Sequence, residues 1–130
     1  MMEYVTDCHA LYWHLTDSPL LGKGAVAAFA AAAAGQAVIY VPAIVLAEFF
    51  YLNKKLPRPV DFQMIYHRLD AAPHFILLPM LPEEMLDLSL DGAVTEMHDR
   101  MIVGVARRRA ATLITEDRQI VQSNAVPIVW

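Results

Sequence analysis

The chain is 130 residues long, 57% apolar and 18% charged, with a formal net charge of −4. That is enough chain for one domain over residues 1–130 with a sizeable core, and the composition excludes a disordered polymer. The excess of acids leaves no overall basic footprint of the kind that nucleic-acid binding leaves, and the high apolar content points to a surface hidden in a partner.

Residues 3–6 read as a short strand ending at Asp7, and residues 10–15 as one or two helical turns before the turn Thr16-Asp17-Ser18-Pro19. Residues 24–34 form an alanine-rich helix stopped by Gly35. Residues 37–41 (AVIYV) are an apolar run of β type, suited to burial on both faces. Pro42 opens a helix over residues 43–55 whose last turn is basic, as the macrodipole favours. A loop over 56–59 leads to a helix over 60–71 ended by Pro73, then a strand over 75–78. A helix over 82–90 follows, with Glu83 and Glu84 in its first turn, and Asp91-Gly92 makes a turn. Residues 98–109 are a helix with an apolar stripe of Met101, Ile102, Val105 and Ala106. A strand over 112–115, a short helix over 117–122 and a strand over 126–129 complete the chain. Strands alternate with helices, which predicts an α/β fold with a mostly parallel central sheet and helices on both faces.

The chargeless stretch 24–47 is broken by Gly35-Gln36 and by Pro42, which argues against a membrane span. One cysteine, Cys8, excludes an internal disulfide and fits a reducing compartment. No secretory signal is visible at the start, and a cytoplasmic location is expected.

Four acids stand out: Asp7, Glu48, Asp99 and Asp117. Each lies in or beside an apolar stretch, near a strand-to-helix junction or in the first turns of a helix. In a parallel sheet those junctions share one edge, and the four acids converge there. Glu48 is the most informative. Its helical neighbours three and four positions away are Ile44, Val45, Tyr51 and Leu52, where a surface glutamate has polar ones. Taken singly, Asp7 and Asp117 also read as N-caps, Asp99 as a helix-dipole acid, and Glu48 as the solvent-facing position of a half-buried helix. Taken together they need cations, because two such charges about 4 Å apart repel by roughly 4 kcal/mol at an effective dielectric of about 20. Mg²⁺ and Mn²⁺ are the ions that suit carboxylate oxygen. The charge balance agrees: of 14 acids and 10 bases, removing these four acids leaves ten against ten.

DCHALYW (7–13), VPAIVLAEFFYL (41–52), MHDRMIVGVA (97–106) and ATLITEDRQI (111–120) together resemble the PIN domain, and within it the VapC-type toxins of toxin–antitoxin pairs. The resemblance runs along nearly the whole chain. It implies a PIN-like three-layer sandwich and a divalent-metal-dependent endoribonuclease that hydrolyses RNA phosphodiester bonds. It implies that Asp7, Glu48, Asp99 and Asp117 are the catalytic, metal-holding acids, with Mg²⁺ or Mn²⁺ as cofactor. Thr115 matches the hydroxyl that supports such a site from two residues before the last acid. Cys8 departs from the pattern, which has threonine or serine after the first acid, and a thiol is the poorer hydrogen-bond partner. The resemblance further implies an RNA substrate, an antitoxin covering the active site, and a homodimer.

Other residues read more plainly. His9 and His98 lie beside site acids without zinc-like spacing, and the metal chemistry does not call on them. Arg100 and Arg118 adjoin two of the acids, but adjacent helical residues do not face each other, and neither is expected to neutralise the cluster. Arg107, Arg108 and Arg109 read as a solvated helix C-terminus rather than an RNA contact. Lys54, Lys55 and Arg58 form a second candidate contact for the RNA backbone. Tyr12, Trp13, Phe49, Phe50 and Tyr51 are expected in core and interface. Cys8 lacks a base that would make it a nucleophile. A phosphoryl-receiving domain would need paired acids after the first strand and a late lysine, and no lysine follows Lys55. An aspartyl phosphatase would need an acid where His9 stands. The remaining alternative is a non-catalytic RNA-binding or interaction module of the same fold.

Overall fold

Five strands pair in one parallel sheet in the computed structural model, which describes residues 1–130: β1 (Met2–Thr6), β2 (Ala37–Pro42), β3 (Phe75–Leu78), β4 (Thr112–Ile114) and β5 (Ile128–Val129). Their order is β3-β2-β1-β4-β5. The chain therefore builds outward from β1 on one side, then crosses back to the other side of β1 for β4. Around the sheet stand α1 (Cys8–Leu15), α2 (Lys23–Ala33), α3 (Ala43–Lys54), α4 (Phe62–Ala71), α5 (Met97–Arg109) and α6 (Arg118–Ser123), as the strand–helix alternation predicts. The inner strands carry the core. Val5, Ile39, Val41, Leu113 and Ile114 are fully buried, and Phe29, Leu11, Phe49 and Ile102 pack on them from the helices.

The strand order differs from that of receiver domains, in which β1 lies between β2 and β3. No helix is long and apolar enough to cross a membrane. The chargeless stretch 24–47 is divided among α2, β2 and the first turn of α3.

Element boundaries shift for local reasons. The first helix starts at Cys8 because the Asp7 side chain accepts the Ala10 N–H and caps it. The fourth helix starts at Phe62, capped by Asp61, because Val60 is held outside it. The buried Asn53 amide bonds Val60 twice, donating to its carbonyl at 2.7 Å and accepting its N–H at 2.9 Å. Residues Pro82–Leu90 wind as a 3₁₀ helix rather than an α-helix, and none of them is buried, so no apolar stripe holds them in an α register. The last strand shrinks to two residues because Pro127 has no N–H and joins β4 only through its carbonyl.

The three arginines that end α5 are not simply solvated. Arg107 makes a two-pronged ion pair with Asp91, whose side chain is 2% exposed. Arg108 pairs with Asp87 and donates to the Glu83 carbonyl, and the Arg109 guanidinium lies 4.7 Å from the Tyr40 ring centre. These contacts bind α5 to the 3₁₀ segment and to β2, and they take the arginines away from any ligand. Removing one partner of a buried pair strands the other. Arg107→Ala is therefore expected to cost about 3 kcal/mol in urea unfolding. Pairing it with Asp91→Leu should recover most of that loss. An unchanged midpoint in the single variant would contradict the assigned role of the pair.

Candidate active site

β1 and β4 lie side by side where the strand order turns, and the crevice beyond their C-terminal ends is the place where α/β sheets bind ligands. Asp7 follows β1 directly, and its N–H extends the ladder to the Ile114 carbonyl. Its two oxygens are both engaged. Oδ1 caps α1 through the Ala10 N–H at 2.8 Å, and Oδ2 accepts the Thr115 hydroxyl at 2.5 Å. Thr115 is fully buried just past β4, and its Oγ1 accepts the Asp117 N–H at 3.0 Å. Asp117 in turn caps α6 through the Ile120 N–H. The capping reading of Asp7 and Asp117 is thus correct, and it coexists with their place at the crevice. Hydroxyl support for Asp7 comes from Thr115, whereas the position after Asp7 holds the buried Cys8 thiol.

Glu48 reaches the same crevice from the middle of α3, and Asp99 reaches it from the first turn of α5. All four acids predicted from the sequence line one cavity of about 650 Å³. Two further acids, Glu96 and Glu116, line it as well. Neither was expected. Glu96 is the N-cap of α5, accepting the Asp99 N–H at 2.8 Å and pairing with His98. Glutamate is not a favoured capping residue, which hides it in the sequence. Glu116 sits between Thr115 and Asp117, where only its adjacency to a site acid hinted at it. His9 and Trp13, one turn apart on α1 with rings 5.5 Å apart, form another part of the wall. Arg118 lines the cavity without forming an ion pair to its acids, as expected, and Arg100 instead bonds the carbonyls of Val94 and Leu88.

The electrostatics follow from crowding acids in a poorly solvated crevice. Burial, above all, pushes the Glu48 carboxyl up to about 7, and the charges of Asp99, Glu96 and Asp7 push the same way against His98. Asp99 rises to about 6 through burial, then repulsion by Asp117, Glu96 and Asp7. Asp7 is also raised by burial, opposed by its bonds from Thr115 and Ala10. Burial and the neighbouring Glu48 and Asp7 hold the Cys8 thiol at about 12, which rules out a thiolate nucleophile.

A divalent cation fits this donor set in kind. Glu48 Oε1 is buried and has no hydrogen-bond partner in the protein. An orphaned carboxylate oxygen beside other carboxylates needs either a proton or a cation. The side chains as they lie are not drawn to coordination distance, since no three of the histidine, cysteine and acidic groups stand close enough to share an ion.

The raised pKa values carry a sign. A carboxyl that binds its proton more tightly in the folded state stabilises the fold below its unfolded pKa, and that contribution is lost as pH rises through the folded value. For Glu48 the window runs from 4.5 to about 7, and for Asp99 from 3.8 to about 6. With divalent cations chelated, the protein is expected to become less stable as pH rises from 4.5 to about 7. Glu48 alone contributes about 2 kcal/mol of this change after allowance for its solvent access. Glu48→Gln should flatten the fall in melting temperature. A wild-type melting temperature that climbs through the window would refute the assignment.

The PIN domain profile matches residues 4–124, a span that contains all four acids. Among solved structures, the fold is similar to VapBC2 from Rickettsia felis bound to a DNA fragment from its promoter. The TM-score is 0.73 with 15% identity, over 98% of this chain and 97% of that one. It is similar to DNA-bound VapBC from Salmonella typhimurium, at TM-score 0.69 and 14% identity over 98% and 97% of the two chains. It is also similar to the PIN domain endonuclease Utp24, at TM-score 0.53 and 17% identity over 97% and 82%. No curated protein matches in sequence. At these identities the solved structures speak for the fold alone, while the profile spans almost the entire sequence: the chain belongs to the PIN domain family.

Proposed function

We propose that the chain is a divalent-metal-dependent endoribonuclease, acting over residues 1–130 as the VapC-type toxin of a toxin–antitoxin pair. The observation that carries this reading is the meeting of Asp7, Glu48, Asp99 and Asp117 at one cavity, with a buried Glu48 oxygen left unpartnered. Membership of the PIN family and likeness to VapBC structures and to a PIN endonuclease support it.

In this reading the four acids hold Mg²⁺ or Mn²⁺. Such an ion supplies positive charge for the phosphodiester oxygens and brings the pKa of a bound water toward neutrality. The chain's own residues do the rest. Thr115 and the Ala10 N–H fix the Asp7 carboxylate, and the Ile120 N–H fixes that of Asp117. In the free protein Glu48, raised to about 7, is partly protonated near neutral pH, while Asp99, raised to about 6, takes up its proton in mild acid, and a bound cation would displace both protons. Arg118 offers an unpaired positive charge on the wall for an RNA phosphate. An antitoxin segment covers the cavity in the inactive complex, and a homodimer buries part of the apolar surface. A second reading, a non-cleaving RNA-binding module of the same fold, draws on the spacing of the acids, which stand too far apart to share an ion as they lie.

A panel of structured RNAs incubated with Mg²⁺ and with chelator separates the two. The parent is expected to cut only with the ion, and Asp99→Asn to lose activity by about a hundredfold or more. Equal cutting by Asp99→Asn and parent would end the site assignment. Mn²⁺ should raise the parent's melting temperature by mass action, whereas the non-cleaving module should show no shift. Thr115→Val, which removes the bond that orients Asp7, is expected to weaken Mn²⁺ binding by about tenfold to a hundredfold in a titration. Undiminished affinity would show that Thr115 does not position the acid.

A further inference from the structure

A second cavity, of about 530 Å³, adjoins the first, and Cys8, His9 and Glu48 form the wall between them. Its floor is written in the sequence. Ile44, Ala47, Glu48, Tyr51, Leu52 and Lys55 recur at helical spacing and share one face of α3, running on into Lys55, which ends the helix. The core side of that helix is Val45, Phe49 and Asn53. The groove face has no element of the chain packed over it at Tyr51, which is 64% exposed. Lys55 lines the groove and enters no ion pair. Beside it, the Lys54 ammonium sits 4.6 Å from the Phe50 ring centre and 5.9 Å from that of Tyr51.

The six acids of the neighbouring cavity repel a phosphate chain, so part of the hold on a polyanion must come from outside that cavity. An exposed aromatic ring, an apolar floor and an unpaired cation are the parts from which proteins build sites for unpaired nucleotides. Glu48 faces both cavities, which makes the groove continuous with the place where cleavage is proposed.

Resting on the ribonuclease reading, we propose that this groove is a nucleoside subsite: the base of a nucleotide next to the scissile phosphate stacks on Tyr51 above Leu52 and Ile44, and Lys55 takes the adjoining phosphate. A base held in a duplex has both faces covered by its neighbours and does not reach Tyr51. The nucleotide beside the cut is therefore unpaired, and Tyr51 sets the preference at that position.

The test uses a fluorescein-labelled single-stranded oligoribonucleotide of about ten nucleotides, with binding read by anisotropy in Mg²⁺ on an Asp99→Asn background that suppresses cutting. Cleavage by the full-activity chain is mapped in parallel. Tyr51→Ala is expected to weaken binding about tenfold and relax the base preference beside the cut, while Tyr51→Phe, which keeps the ring, binds like the parent. Lys55→Gln should weaken binding and reduce the slope of log affinity against log salt by about 0.7. Tyr51 and Lys55 are exposed, and melting temperatures should not change. If the parent binds and cuts RNA while the variants match it in affinity and cutting pattern, the subsite is wrong and the ribonuclease reading stands. If the parent neither binds nor cuts RNA, both fall. If Tyr51→Ala or Lys55→Gln turns a dimer into monomers with RNA affinity per protomer unchanged, the face belongs to a second copy of the chain and the subsite is overturned.

Discussion

The hydrogen bond from the buried Thr115 hydroxyl to the Asp7 carboxylate joins the ends of the two strands on which the cavity is built. Those residues are 108 positions apart, and they meet because β4 returns to lie against β1 after β2 and β3 have been laid down on its other side. The bond is one link of a longer series. The Asp117 N–H donates to Thr115, Thr115 donates to Asp7, and Asp7 accepts the Ala10 N–H in the first turn of α1. Two helix starts and two strand ends are thereby held in fixed relation. A carboxylate has about four acceptor positions. Asp7 spends two on the fold and keeps the others for whatever enters the crevice.

That arrangement carries a conflict. A core this apolar has no use for ionised groups at its margin, yet six acids stand around one cavity. The fold tolerates them by raising the carboxyls of Glu48 to about 7 and Asp99 to about 6, and the elements of both pack without their help. Helix α3 is held by Val45, Phe49 and Asn53, and α5 by its buried run from Ile102 to Ala106 and by the arginine pairs at its far end. Glu48 and Asp99 contribute to neither grip. A local rule broken by several residues around one cavity is the pattern expected of a functional site.

How much of this could be read beforehand depended on whether the governing interaction was local. Alternating apolar runs, Gly35, Pro42 and Pro73 punctuate the chain at short range, and they located nearly every strand and helix. The convergence of the four acids needed one further step, that parallel strands share a C-terminal edge, and Glu48 betrayed itself by apolar neighbours. The order β3-β2-β1-β4-β5 rests on pairings between distant segments, and no single segment carries a mark of its neighbour. The Arg107–Asp91 pair was hidden for the same reason. In sequence Asp91-Gly92 is only a turn and Arg107 only a basic helix end, and the pair exists because the 3₁₀ segment folds back on α5. Glu96 was missed because its capping role is atypical of glutamate.

The overall charge illustrates how a sum conceals a distribution. A net charge of −4 does not advertise a nucleic-acid partner, but the division into a candidate site and the rest of the molecule makes it compatible with one. Six of the 14 acids line the cavity, which leaves eight acids against ten bases over the rest of the chain, a balance of +2. Not all those bases are free to meet a ligand. Arg107 and Arg108 are committed to Asp91 and Asp87, Arg109 lies on Tyr40, and Arg100 is bound to backbone carbonyls. Of the cations left, Lys55 and Arg118 stand on walls of the two adjoining cavities. A phosphate chain drawn to both must cross Glu48 and its neighbouring acids between them. On the proposed ribonuclease reading, divalent cations held there would turn that crossing from repulsive toward attractive.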